Sequence, residues 1–133
     1  MIEQAESFHS SVKVTVPTRI RIVNLSDIKC SNGDEFKSLL KDIEVKYGSD
    51  IHSIFSKKRN NERNKLFSLE KDAPIILAWG TDRILFNLVT KCIECIPSEN
   101  CKGIEYDKNL YYYPSSPLKA KKLEWLDKIS KII

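Results

Sequence analysis

The chain has 133 residues, 41% of them hydrophobic and 30% charged, which fits one globular domain over residues 1–133 and excludes disordered and fibrous classes. No apolar run approaches the roughly 20 residues of a membrane span, and the acidic start Met1-Ile2-Glu3-Gln4-Ala5-Glu6 has no apolar h-region, so a cytoplasmic location is expected. The net charge is +4 and unevenly placed: Lys57, Lys58, Arg59, Arg63, Lys65 and Lys71 fall within residues 56–71, and Lys119, Lys121, Lys122, Lys128 and Lys131 within 117–133. Such clusters suit phosphate or an acidic protein surface, or are simply solvated helix faces.

In chain order, residues 1–10 show no period and read as a poorly ordered terminus. Val12, Val14 and Val16 alternate with polar residues as in a half-buried strand, which Pro17 interrupts. The β-branched run Ile20–Val23 reads as a second strand, ending at Asn24 and feeding the loop Asn24-Leu25-Ser26-Asp27. Asn32 and Glu35 form a capping box for a helix that sets Phe36, Leu39, Leu40, Ile43 and Tyr47 on one side and stops at Gly48. A polar, basic stretch follows: a loop containing Ser53-Ile54-Phe55-Ser56, then a helix over about Lys58–Glu70.

Pro74–Gly80 is a continuous apolar run, as in a parallel strand covered on both faces. Thr81 caps the next helix, whose apolar positions Ile84, Leu85, Leu88, Val89, Cys92, Ile93 and Ile96 follow the 3.6-residue period until Pro97. An extended piece Lys102–Tyr106, a turn at Asp107-Lys108-Asn109 and a strand Leu110–Tyr113 come next. Ser116 as N-cap and Pro117 at the first helical position open the last helix, with Leu118, Leu123, Leu126, Ile129 and Ile133 inward. Strand and helix in alternation predict an α/β fold, a three-layer α/β/α sandwich with a central, mainly parallel sheet.

Cys30, Cys92, Cys95 and Cys101 read as free thiols. A zinc site on Cys92-x-x-Cys95 with Cys101 lacks a nearby fourth ligand, and Cys92 falls on an apolar stripe, so neither metal nor cofactor is expected.

In open parallel sheets ligands bind at the carboxyl ends of strands. Three such ends are distinctive: Val23-Asn24-Leu25, Ile76-Leu77-Ala78-Trp79-Gly80, and Tyr113-Pro114-Ser115-Ser116-Pro117-Leu118. In this order they resemble the uracil-DNA glycosylase superfamily, in which a strand ending in Asn, a strand ending in Trp-Gly and a His-Pro-Ser-Pro-Leu loop precede the last helix. Over roughly residues 18–133 the chain is most similar to the short, uncharacterised bacterial branch, where a Ser-Ile-Phe-Ser segment (here Ser53–Ser56) also occurs.

The resemblance implies a base-pocket remnant of Asn24, Trp79 and Tyr113, and a binding loop of Pro114, Ser115, Ser116, Pro117, Leu118, Lys119, Lys121 and Lys122. In it Leu118 is the wedge that enters the minor groove and the lysines hold phosphates. The departures are equally specific. No water-activating motif precedes Asn24, Tyr113 replaces the loop histidine, the loop carries one additional serine, and His9 and His52 match neither motif. Cleavage needs a polarised water and a donor to the leaving anion, so no catalytic residue is assigned and no uracil release is expected.

Read from the residues alone, Asn24 is a base reader or a turn former, Trp79 a core residue or a stacking platform, and Leu118 a packing residue or a presented one. Tyr111, Tyr112 and Tyr113 alternate, so one faces inward and another is wet. The expected function is a catalytically inactive, glycosylase-like binding module for DNA or an acidic DNA-mimic protein of the glycosylase-inhibitor type. The alternatives are an enzyme with a rebuilt site using Ser26, Asp27, Tyr113 or Ser115, and a structural subunit of a replication or repair assembly.

Overall fold

A computed structural model describes residues 19–30, 32–69, 71–114 and 118–133. The expected Val12–Val16 strand lies outside the described residues. Among the described residues the chain is mixed α/β, with four α-helices, a small parallel sheet and an antiparallel hairpin. No described helix is long and apolar enough to cross a membrane. The chain divides into two compact units: Met1–Val23, Ala73–Asp82 and Pro97–Ile133 form one, Asn24–Asp72 and Arg83–Ile96 the other.

In the first unit, strand β1 (Ile75–Leu77) pairs in parallel with β2 (Cys101–Gly103), Ile75 opposite Cys101 and Leu77 opposite Gly103. Gly103 is required by closeness: a Cβ there would stand 2.5 Å from Tyr111 Cδ1 and 2.8 Å from the Leu77 carbonyl oxygen. Strands β3 (Glu105–Asp107) and β4 (Leu110–Tyr111) form an antiparallel hairpin, its turn closed by Asn109 at φ 61°, a left-handed conformation that Asn tolerates. The expected turn at Asp107–Asn109 is therefore present.

The last helix, here α4 (Lys119–Ile132), buries Trp125, Leu126 and Ile129 against Ile76, Ala78 and Ile104. Two expectations are corrected here. The helix begins at Lys119 with Leu118 at the N-cap, not at Pro117 with Ser116 as cap. Leu123 and Ile133 are exposed, and Trp125 occupies the inward side. Leu123 and Trp125 lie two residues apart, on different faces of a helix that can bury only one of them. The larger indole, with a polar tip that finds an acceptor, takes the core.

In the second unit, α1 (Gly33–Tyr47) starts as expected, Asn32 Oδ1 accepting the Glu35 N–H at 2.8 Å, and ends at Gly48 with φ 55°. Leu40 is buried and Phe36, Leu39 and Ile43 half-buried, but Tyr47 in the last turn is exposed. A 3₁₀ turn (Lys57–Arg59), capped by Ser56, leads into α2 (Asn60–Ser68). A second 3₁₀ turn (Arg83–Leu85) precedes α3 (Phe86–Cys95), which buries Leu88, Val89 and Cys92. Thr81 is thus not the helix cap, and Ile84 is exposed, because the first apolar turn winds as 3₁₀ and rotates off the stripe. At the other end Ile96 turns extended just before Pro97, as expected.

Ile20–Val23, expected as a strand, belongs to neither described sheet, and Ile20 and Ile22 are exposed. β-Branched composition records only that a residue fits a pleated surface, and such a surface must exist beside it.

Candidate functional site

The residues expected to work together fall in different units: Asn24 in the second, Trp79, Tyr113 and the binding loop in the first. Asn24 is exposed and follows unstructured chain, so it does not end a strand. Trp79 is half-buried and committed: its Nε1–H donates to the Asn109 carbonyl at 2.9 Å, and its ring meets Tyr111 edge-on, centroids 5.4 Å apart. Next to it Gly80, at φ 110°, donates its N–H to the Tyr111 carbonyl at 2.9 Å. Trp79 is thereby a brace between β1 and the hairpin.

The hairpin is braced from the other side as well. Trp125 Nε1–H donates to the Tyr112 carbonyl at 3.0 Å, and the Tyr112 N–H donates to the Ile104 carbonyl at 2.8 Å. Burial pushes the Tyr111 hydroxyl pKa upward, with Glu105 and Cys101 adding to it, and burial likewise raises that of the Cys101 thiol. Of the three consecutive tyrosines, Tyr111 is half-buried while Tyr112 and Tyr113 are exposed.

In the expected binding loop, Pro114 is buried, Leu118 is 57% exposed, Lys119 and Lys121 are exposed and Lys122 is half-buried. Ser115, Ser116 and Pro117 lie outside the described residues. Further along α4, Lys128 pairs with Glu124 at 2.5 Å and Lys131 with Asp127 at 2.6 Å, each four residues apart. The basic character of this helix is therefore concentrated in its first turn.

The basic stretch 56–71 resolves differently. Arg59 donates to Asp27 at 2.5 Å and to both Glu62 carboxylate oxygens. Arg63, only 9% exposed, donates to the carbonyls of Ile54 (3.3 Å) and Ser56 (3.2 Å) and to Asn60 Oδ1. Arg63 holds the Ser53–Ser56 segment, all four residues of which are buried, while Arg59 ties Asp27 to Glu62 and to the Ile51 carbonyl. Two cations that composition offers to a phosphate are internal fasteners.

A constellation the sequence did not suggest lies in the same unit. Ser26 Oγ is 2.8 Å from His52 Nδ1, and His52 Nε2 is 3.2 Å from Glu44 Oε1. With the proton on Nε2, the Ser26 hydroxyl donates to Nδ1 and the ring donates to Glu44, the hydroxyl–imidazole–carboxylate order of an activated nucleophile. Here it is a clasp. Ser26 is 9% exposed, its Oγ also accepts the Ile28 N–H at 3.1 Å, and the Asp27 N–H donates to the His52 carbonyl at 2.7 Å. The Ser26 and Asp27 bonds to His52 fasten residues 26 and 27 to the loop after α1, the Ile28 bond closes the turn on Ser26, and Glu44 holds the ring from α1. Nothing in the local spacing could have disclosed it, since the partners are 8 and 26 residues apart.

An open groove of about 730 Å³ between α1 and α3 is lined by charges of both signs, among them Glu44, Asp50, Lys58, Lys91 and Glu94. Lys91 and Asp50 pair across it, and that contact holds the Asp50 carboxyl below its ordinary pKa. No residue of the expected site lines it. Among the described residues, no three His, Cys, Asp or Glu side chains converge as a metal site would require. No protein-family model, curated protein or solved structure matches the chain.

Proposed function

We propose that the chain is a uracil-DNA glycosylase-like module that binds without catalysing, its small parallel sheet belonging to a three-layer α/β/α arrangement. Its partner is DNA or an acidic protein that mimics DNA, taken by the start of α4. The observation that carries this reading is Leu118, an apolar side chain 57% exposed at the N-cap of a helix, with Lys119 and Lys121 exposed beside it. The Leu118 carbonyl accepts the Lys121 and Lys122 N–H groups at 3.1 and 3.2 Å while its side chain adds no acceptor, and the positive end of the helix dipole adds to the lysines. Buried Pro114 anchors the chain on the near side of the loop, and Trp125 fixes the helix on the far side. Tyr113 stands where the resembled family has histidine, and Trp79 is committed to the Asn109 carbonyl and the Tyr111 ring.

The test is a titration of labelled duplex DNA at two salt concentrations, with a thermal melt and a uracil-release assay of the same preparations. Affinity should fall steeply with salt, and uracil release should stay at the buffer blank. Leu118→Ala should weaken binding by about 1–3 kcal/mol as a presented anchor, while costing less than about 1 kcal/mol of stability because little of its area is buried. A stability loss of about 2–5 kcal/mol, the range for a core leucine, with binding unchanged would reject the assignment of this surface.

A further inference from the structure

We draw no further inference here: the strongest candidate, the open groove between α1 and α3, sets Glu44, Asp50 and Glu94 against Lys58 and Lys91, with Lys91 already paired to Asp50, and nothing in the structure shows what occupies it.

Discussion

Arg63→Met tests whether a buried guanidinium holds the Ser53–Ser56 segment in place. The substitution keeps an unbranched apolar stem and deletes every donor. Arg63 makes three hydrogen bonds, all to uncharged oxygens, from a position only 9% exposed. Stranding a buried acceptor costs about 1–3 kcal/mol, but the two carbonyls differ. Ser56 oxygen also accepts the Arg59 N–H at 3.0 Å and keeps that partner, whereas the Ile54 carbonyl depends on Arg63 at 3.3 Å. Against the loss stands the relief of no longer burying a cation without a carboxylate beside it. The balance is a destabilisation of about 1–2 kcal/mol, or roughly 3–8 °C in melting temperature for a chain of this size. Urea denaturation gives the free energy, and amide exchange at Phe55 and Ser56 shows whether the loss is local. An Arg63→Met protein as stable as wild type, with unchanged exchange in that segment, would refute the reasoning: the guanidinium would then be a tolerated burden and the loop would hold itself.

Gly103→Ala should be among the most damaging small substitutions, because the added methyl meets the Tyr111 ring and the Leu77 carbonyl oxygen at 2.5 and 2.8 Å. A loss of about 1–3 kcal/mol by chemical denaturation is expected for such overpacking, and a neutral result would mean that β1, β2 and the hairpin do not approach so closely. Asp50→Asn addresses the Lys91 contact. The folded carboxyl sits below its ordinary value of 3.8, chiefly through the hydrogen bond from Lys91, so its contribution is present above that pH and is lost as pH falls through the lowered value. The stability difference between wild type and Asp50→Asn should therefore be constant from neutrality to about pH 5 and shrink on further acidification; a difference that grows in acid contradicts the pairing.

What was legible in the sequence is local. Asn32 with Glu35, Gly48 at a helix end and Pro97 after Ile96 each act within a few residues, so their chemistry can be read in order along the chain. The run at Ile75–Leu77 was legible because it is continuously apolar, and the stripe Leu88, Val89, Cys92 because burial of one helix face imposes a period. Position in three dimensions was not. Whether Leu123 or Trp125 turns inward depends on an acceptor at Tyr112, 13 residues back. The edge-on contact of the Tyr106 and Tyr112 rings depends on the irregular pairing of β3 with β4 at Tyr106, and the Ser26–His52–Glu44 clasp on segments far apart in the chain meeting. The basic count over 56–71 misled for the same reason: composition records a charge but not whether it faces solvent or, like Arg63, a carbonyl oxygen.

The two indoles bracket the hairpin, one donating at its turn and the other at its exit, and the sequence contains no further tryptophan. All tryptophan emission from this protein therefore originates beside β3 and β4. Trp79 also lies within a ring's breadth of Tyr111, close enough for tyrosine excitation to pass into it. The emission maximum and the tyrosine-to-tryptophan transfer efficiency are thus intrinsic gauges of one hairpin and not of the fold as a whole.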